Sequence, residues 1–247
     1  MRVIDPADVE PTVNPASVEH REGRQVHRRI LSLMTGGPAS IDLGYNRTAE
    51  GVDFAIPYAY DRDEFCYTAA GSARMQNDGE TWDFVAGQFM WRPAGAATQR
   101  ITATSAYNSI CAFGPARVDG WSHILPESYH QADEGAAARP RVQFLNALDV
   151  APSANSDAGV TYRQIFDTPH MEVAHISLDH GARADLSQAG RDQVYFVEAG
   201  TFAAVTGQQD IAVRQGQFFI VTATDHFDAL IAEQDCVLIR WSAPGRD

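Results

Sequence analysis

The chain has 247 residues, of which 45% are hydrophobic and 21% are charged, so it is long enough for one large β domain or two domains of roughly 100 to 150 residues each. Its 32 acidic and 19 basic residues give a formal net charge of −13, which disfavours nucleic acid and membrane surfaces as partners. Every basic residue is an arginine, which excludes a lysine Schiff base, a pyridoxal-phosphate enzyme and a Walker A loop.

The length of the apolar runs and the spacing of the cysteines indicate in which cellular compartment the protein resides. No apolar run reaches about 18 residues, and the N-terminus carries acidic residues rather than a signal-peptide pattern. Cys66, Cys111 and Cys236 are far apart and form no C-x-x-C pair. We therefore expect a soluble cytoplasmic protein with neither a disulfide framework nor a zinc knuckle.

Four segments follow one another along the chain. Residues 1–22 are expected to form an N-terminal arm. Residues 23–118 hold short alternating apolar runs separated by Gly, Pro, Asp and Asn at intervals of roughly 8 to 12 residues, which is typical of a sandwich or barrel. Residues 119–157 contain the run GAAA, three prolines and few β-branched residues, and they predict a linker. Residues 158–247 return to the alternating pattern and predict a second β domain.

The two β segments resemble each other in three places, in the same order and at an offset of about 130 residues. The matches align residues 26–31 (VHRRIL) with 161–166 (TYRQIF), 64–71 (EFCYTAAG) with 193–200 (QVYFVEAG), and 86–91 (AGQFMW) with 215–220 (QGQFFI). Because three ordered matches are hard to obtain by chance, the sequence predicts two copies of one all-β unit.

The first copy resembles the cupin superfamily at both of that superfamily's motifs. Six residues separate Glu64 from Gly71, and five residues separate Gly87 from the turn at residues 93–95 (PAG), as in the cupin motifs. The likeness implies an all-β fold of two cupin jelly-roll barrels in tandem, a bicupin, spanning nearly the whole chain.

Within the superfamily, residues 63–67 (DEFCY) and 79–82 (GETW) are most similar to EutQ-type cupins, which also lack the histidine set. The acetate-kinase activity attached to that family is not carried over. This chain has neither a phosphate loop nor a lysine.

The likeness does not extend to the metal ligands of the first barrel. The three histidine positions hold Tyr58, Tyr60 and Thr98, so Glu64 alone remains of the four ligands. One carboxylate with two phenols of pKa about 10 is a poor site for a divalent transition metal at neutral pH. We therefore expect no metal and no cofactor in this barrel.

The second copy has lost the ligand set completely. Gln193 stands at the glutamate position, and Ser187 and Ala189 stand at the His-x-His positions. The third histidine position falls on Phe227, or on His226 if the turn is one residue shorter. A lone imidazole beside an amide is not a metal site, so this barrel is also expected to be metal-free.

Strand alternation defines a candidate catalytic set in the first barrel. Glu64, Cys66 and Thr68 share one face, and the resemblance implies that this face lines the cavity. Thr98 and Arg100 share a face that the resemblance places beside Glu64. We expect Glu64 to act as general acid or base, with Tyr58 and Tyr60 as hydrogen-bond donors to a developing enolate oxygen. The predicted substrate-binding residues are Arg100 as a carboxylate clamp, Thr98, Cys66, Thr68 and Trp91.

The same residues also allow a structural interpretation. Glu64 and Arg100 would form a buried ion pair, and the tyrosines would fill the space of a lost metal. Cys66 would be a small buried hydrophobe, because a neighbouring carboxylate raises the pKa of a thiol. Trp91 would belong to the core.

The second barrel predicts a pocket of neutral polar groups. Gln193 and Tyr195 share an inward face, His226 lies opposite them, and His175 is on the preceding strand. We expect this half to be a scaffold, with ligand binding as the alternative.

Three hypotheses about function follow. The first is a metal-independent isomerase or lyase acting on a small carboxylate-bearing or hydroxylated metabolite in the first barrel. The second is a non-catalytic binding or sensor protein, and the third is a metal-dependent cupin with unorthodox Tyr and Glu ligands. For each we expect a small-molecule ligand and a homodimer, in which strand edges are covered.

Overall fold

The computed structural model describes residues 1–12, 22–56, 59–77, 79–96, 99–117, 125, 139–153, 157–207 and 209–245. These residues form an all-β fold with three short 3-10 helices at Pro6–Asp8, Leu33–Thr35 and Ala147–Asp149. Within the described part of the chain, no helix is long and apolar enough to cross a membrane. The strands in chain order are β1 (Arg2–Ile4), β2 (Pro11–Thr12), β3 (Gln25–Leu31), β4 (Asp42–Thr48), β5 (Asp53–Ile56), β6 (Asp63–Ala70), β7 (Ser72–Asn77), β8 (Glu80–Val85), β9 (Gln88–Arg92), β10 (Gln99–Ala103), β11 (Tyr107–Gly114), β12 (Gln143–Asn146), β13 (Val160–Asp167), β14 (Glu172–Leu178), β15 (Arg183–Ala184), β16 (Arg191–Ala199), β17 (Thr201–Val205), β18 (Ile211–Arg214), β19 (Phe218–Val221), β20 (Ala229–Ala232) and β21 (Cys236–Pro244).

The chain divides into two compact units. One unit comprises Glu10–Gly37 and Ile41–Asn146, and we call it the first barrel. The other comprises Met1–Val9, Pro38–Ser40 and Ala147–Asp247, and we call it the second barrel. The division therefore falls inside residues 119–157, and the second barrel also takes in residues 1–9 and 38–40 from the first half of the chain.

Each barrel pairs a large sheet with a four-stranded sheet, and the strand order is the same in both. The large sheets run β9-β6-β11-β4-β3 and β19-β16-β21-β14-β13, and the small sheets run β5-β10-β7-β8 and β15-β20-β17-β18. This common order confirms the predicted fold of two tandem jelly-roll barrels built from one repeated unit.

Three edge strands come from segments outside the repeat. Strand β2, within the predicted N-terminal arm, pairs antiparallel with β3 of the first barrel. Strand β1, within the predicted N-terminal arm, pairs antiparallel with β19 of the second barrel. Strand β12, within the predicted linker, pairs antiparallel with β9 of the first barrel. All three strands thus cover a backbone edge of a large sheet, which would otherwise expose unpaired N–H and C=O groups.

An aspartate caps the same turn in both barrels. Asp63 accepts a hydrogen bond from the Ala94 N–H at 2.9 Å, and Asp192 accepts one from the Ala223 N–H at 2.8 Å. The Ser40 hydroxyl donates a second bond to Asp192. These caps fix the chain where β6 and β16 begin, directly before Glu64 and Gln193.

The interiors of the barrels differ in chemistry. In the second barrel, aromatic rings of Tyr195, Phe202, Phe219 and Phe227 belong to one buried apolar cluster. The corresponding cluster of the first barrel contains Cys66 and Met90 where the second has Tyr195 and Phe219. Smaller side chains therefore surround the Glu64 end of β6.

Candidate functional site

One wall of the first barrel carries rows of side chains that face each other across neighbouring strands. Glu64 on β6 lies opposite Arg92 on β9, and Cys66 lies opposite Met90. On its other side, Cys66 lies opposite Cys111, and Thr68 lies opposite Ser109. Residues that are directly paired share a face of the sheet. Glu64, Cys66 and Thr68 therefore face one side together, as strand alternation predicts.

The ion pair between Glu64 and Arg92 is the central charged feature of this wall. Nη1 of Arg92 lies 3.4 Å from Oε2 of Glu64, and the two side chains are 1% and 8% exposed. The guanidinium carbon of Arg92 also lies 5.1 Å from the centroid of the Tyr60 ring, within cation–π range. Tyr60 in turn packs edge-on against Phe113 with ring centroids 5.0 Å apart. The structure therefore brings Tyr60 and Glu64 together, with Arg92 as the cation between them.

Arg100 does not take part in this arrangement, contrary to the prediction. Its side chain is 62% exposed and forms a salt bridge with Asp53 on β5. The residues beside it, Gln99 and Ile101, are buried. Arg100 therefore faces outward, because side chains alternate along β10.

The prediction that the protein has no disulfide is wrong. Cys66 and Cys111 form a disulfide between directly paired positions of β6 and β11, with Cα atoms 4.1 Å apart. Sγ of Cys66 lies 3.8 Å from Oε1 of Glu64. Cys66 is therefore half of a cross-link beside the carboxylate rather than a simple buried hydrophobe. Cys236, in the second barrel, is free and buried.

The remaining predicted residues of the first barrel have different outcomes. Tyr58 and Thr98 lie outside the described residues. Trp91 stacks on Phe65 with ring planes 5° apart, and both side chains are on the face of β6 and β9 opposite to Glu64 and Arg92. Trp91 is therefore not beside the predicted catalytic residue.

Thr68 lies beside a buried phenol that sequence reasoning did not identify. Tyr107 is 3% exposed, and burial raises its pKa to about 12, while the neighbouring Ser109 and Thr68 side chains oppose that shift. At neutral pH this phenol is protonated and is able to donate a hydrogen bond.

A second group of polar side chains occupies the β3 and β4 side of the same wall. Nδ1 of His27 lies 2.7 Å from Oδ1 of Asn46. Burial lowers the pKa of His27 to about 4, Asn46 opposes this shift, and the charges of Arg117 and Arg29 add to it. The His27 ring lies against Gly44, where a Cβ atom would overlap Cε1 of the ring. His27 is therefore a neutral imidazole at neutral pH.

Asp42 and Arg117 form a second buried ion pair in this barrel. Nε of Arg117 lies 2.8 Å from Oδ2 of Asp42. The guanidinium of Arg117 also lies over the ring of Phe113, 3.8 Å from its centroid. Burial lowers the pKa of Arg117, but the charge of Asp42 and the hydrogen bond it accepts from the guanidinium outweigh this effect, so the pKa is raised above its ordinary value. These two buried arginine–carboxylate pairs are thus both connected to the rings of Tyr60 and Phe113.

In the second barrel, Gln193 and Tyr195 point inward as predicted, but their polar atoms are bound within the protein. The Tyr195 hydroxyl lies 3.0 Å from the Leu186 carbonyl and 3.2 Å from Oε1 of Gln193. Nε2 of Gln193 donates to the Leu186 carbonyl at 3.1 Å and to Gln188 at 3.2 Å. A further network joins Arg240 to Glu172 and Tyr162.

The two histidines predicted for the second-barrel pocket are not in it. The side chain of His226 is 74% exposed and lies near Asp228, while the neighbouring Phe227 is fully buried. His175 is paired with Ile239 and therefore lies on the opposite face of the sheet from Tyr195, which is paired with Arg240. His226 and His175 consequently do not combine with Gln193 and Tyr195.

The described residues of the first barrel, in its disulfide form, do not offer the ligand set of a metal-dependent cupin. Glu64 is paired with the Arg92 guanidinium, and the sulfur atoms of Cys66 and Cys111 are bonded to each other. Glu64, Cys66 and Cys111 form the one group among the described residues whose His, Cys, Asp or Glu ligand atoms are close enough to hold a metal. With the sulfurs oxidised, only the carboxylate of that group is a ligand for a hard cation.

The fold defines the class of protein, which is a tandem pair of jelly-roll barrels. Among solved structures, a glyoxylate-induced protein from Pseudomonas aeruginosa matches 99% of this chain and 89% of its own, with a TM-score of 0.74 and 14% identity. The protein Ylba from E. coli matches 99% and 91%, with a TM-score of 0.66 and 12% identity. Oxalate decarboxylase from Bacillus subtilis matches 98% and 77%, with a TM-score of 0.65 and 12% identity.

At these identities the likeness shows a shared fold. No family model matches the sequence. No curated protein matches it either.

Proposed function

We propose that the first barrel binds a small carboxylate-bearing or hydroxylated metabolite and transfers a proton with Glu64, without a metal. The observation that carries this proposal is the Glu64–Arg92 pair in the barrel interior, with the Tyr60 ring against the guanidinium. The reaction class is proton removal from a carbon next to a carbonyl, as in an isomerase, epimerase or lyase.

The Glu64–Arg92 contact would allow a substrate carboxylate to replace Glu64 as the partner of Arg92. The Glu64–Arg92 distance of 3.4 Å is long for a charge-assisted hydrogen bond, so this contact is a weak one. A substrate carboxylate would take the Arg92 guanidinium in a bidentate contact and would release Glu64 to act as a base. The proton would pass from the substrate carbon to Glu64, and Arg92 would stabilise the enolate charge until the proton returns to a carbon. Tyr60 would hold the guanidinium in place through its ring.

Proton exchange into deuterium oxide tests this reaction class directly. The disulfide form of the protein, treated with a chelator, is incubated with pyruvate, and the loss of the C3 proton signal is followed by NMR. We expect exchange above the buffer rate for the wild type, and a loss of at least about 100-fold for Glu64→Gln, which keeps the shape and removes the base. If Glu64→Gln exchanges pyruvate protons as fast as the wild type, the assignment of Glu64 is wrong.

The alternative function is a binding or sensor protein without turnover, which the same buried ion pair would also support. In that case pyruvate or lactate would raise the thermal midpoint of the wild type without any proton exchange. A third hypothesis, a metal held by Tyr58, Tyr60 and Glu64, is disfavoured because two protonated phenols and one carboxylate are a poor ligand set for a divalent transition metal at neutral pH.

The location, the oligomeric state and the partners of the protein are also proposals. We propose a cytoplasmic homodimer with a small-molecule ligand, and the net charge of −13 disfavours nucleic acid and membrane partners. The similarity of residues 63–67 to EutQ-type cupins contributes no activity to this proposal.

A further inference from the structure

We propose that reduction of the Cys66–Cys111 disulfide converts the first barrel into a site for a soft divalent cation such as Zn²⁺, held by the two thiolates and by Glu64. This inference does not rest on acid/base catalysis by Glu64. It rests on the position of three side chains on one wall of the barrel.

The three ligand atoms are already close together. One atom from each of Glu64, Cys66 and Cys111 lies within 4.8 Å of the others; Glu64 and Cys66 are buried, and Cys111 is half-buried. Tetrahedral Zn²⁺ with bonds of about 2.3 Å to sulfur and about 2.0 to 2.2 Å to oxygen needs ligand atoms about 3.3 to 3.8 Å apart. The contact of 3.8 Å between Sγ of Cys66 and Oε1 of Glu64 already meets this need.

The strand register lets the sulfurs separate without moving the backbone far. Cys66 and Cys111 are directly paired, and side chains at paired positions have Cβ atoms about 4.5 to 5.5 Å apart. A change of side-chain rotamer therefore allows the two sulfurs to move apart to a metal-binding distance. A water molecule would supply the fourth ligand.

The charges around the group also favour a dication. Two thiolates and one carboxylate carry three negative charges, so a bound Zn²⁺ leaves one negative charge in the barrel interior. Arg92, whose guanidinium contacts Glu64, supplies the balancing positive charge. A buried site with no net charge avoids the desolvation cost that an unbalanced charge would carry.

The redox step is a thiol–disulfide exchange. A dithiol reductant breaks the S–S bond, its two thiols become a disulfide, and Cys66 and Cys111 each gain a hydrogen. Zn²⁺ then displaces both thiol protons into solvent as it binds. The oxidised barrel would therefore release the metal, and the reduced barrel would take it up.

Cobalt titration tests the site, because Co²⁺ bound to thiolates absorbs in the near ultraviolet. The full chain is reduced with a water-soluble trialkylphosphine, which takes oxygen from water to form the phosphine oxide, and is then titrated without air. We expect thiolate-to-cobalt absorption that saturates at one ion per reduced chain, that Zn²⁺ displaces, and that the disulfide form lacks.

Variants locate the ligands. We expect Cys66→Ser and Cys111→Ser to lose the absorption, and Glu64→Gln to keep it with affinity lower by about 10- to 100-fold. Cys236→Ser is the matched control and should behave as the wild type, since this buried thiol lies in the second barrel. Absence of the absorption in fully reduced wild type, or its persistence without Cys66 and Cys111, would overturn the proposal.

Alkylation with iodoacetamide followed by mass spectrometry covers the case in which the serine variants do not fold. Zn²⁺ should protect Cys66 and Cys111 of the reduced wild type and leave the labelling of Cys236 unchanged. Equal labelling of Cys66 and Cys111 with and without Zn²⁺ contradicts the site. The proton-exchange assay uses the chelator-treated disulfide form, so a failure there is distinguishable from a failure here.

Discussion

Glu64 and Arg92 lie directly opposite each other on β6 and β9, and the same two positions of the second barrel hold Gln193 and Val221. One copy of the repeat thus carries an ion pair where the other carries an amide and an aliphatic side chain. A buried ion pair is often no more stabilising than apolar residues of similar volume. The retention of the pair in one barrel therefore favours a role in binding.

We predict that Arg92→Met destabilises the fold by about 3 to 5 kcal/mol, because it leaves the Glu64 carboxylate buried without its cation. Adding Glu64→Gln should recover a large part of this loss. Urea unfolding followed by circular dichroism measures the free energy of unfolding of Arg92→Met and of the double variant. The control is Arg100→Met, whose salt bridge with Asp53 is exposed, and which should leave the urea midpoint unchanged. An equal effect of the two arginine substitutions would contradict the assigned burial.

The turn caps give a second stability prediction. Asp63→Ala removes the acceptor of the Ala94 N–H and should cost about 1 to 3 kcal/mol. Asp63→Asn keeps an oxygen acceptor at the same place and should cost less. Chemical denaturation of the two variants checks this order, and the reverse order would show that the cap is not what Asp63 contributes.

The contact between His27 and Gly44 predicts a steric effect. Gly44→Ala places a methyl group against the His27 ring. It should lower the free energy of unfolding by about 1 to 3 kcal/mol, because packed neighbouring side chains have little room to move. Gly207→Ala is the matched control, because no atom lies within 4 Å of a Cβ added there. Thermal unfolding of both variants should show a lowered midpoint for Gly44→Ala alone.

His27 also predicts how stability depends on pH. Its pKa falls from 6.5 to about 4 in the folded protein, chiefly through burial, so the unfolded chain binds a proton at pH values where the native protein does not. Stability is therefore fully present above pH 6.5 and declines as the pH falls from about 6.5 to 4, by up to about 3 kcal/mol.

The comparison that isolates this group is wild type against His27→Gln, with free energies of unfolding measured from pH 7.5 to pH 4.5. The difference between the two proteins should shrink as the pH falls. A difference independent of pH would rule out a neutral buried His27.

The tandem barrels were predictable from the sequence because cupin spacing and the internal repeat depend on turns, and turns are encoded locally at Gly71, Gly87 and residues 93–95. Alternation along one strand placed Glu64 and Cys66 on the same face, and the resemblance to cupins implied that this face points inward. Turns and strand alternation depend on residues that are close together in the sequence, so a short stretch of sequence is enough to predict them.

The residues that form the site were less predictable. They depend on which face of a strand each side chain occupies and on how strands far apart in the sequence pair with each other. Counting from the turn placed Thr98 and Arg100 inward, whereas the structure buries Gln99 and exposes Arg100, and a shift of one residue reverses every side chain of a strand. Arg92 was detectable in principle, since it shares a face of β9 with Met90. The partner of Cys66, 45 residues away, depends on the pairing of β6 with β11 and has no local signal.

We propose that Arg92 in the first barrel receives the carboxylate of a small metabolite. Calorimetric titration of pyruvate into the chelator-treated disulfide form measures this binding, with Arg92→Met and Arg100→Met measured in parallel. We expect equal affinity for the wild type and Arg100→Met, and affinity at least about tenfold weaker for Arg92→Met, equivalent to about 1.4 kcal/mol. Wild-type affinity in Arg92→Met, or a loss confined to Arg100→Met, would contradict it.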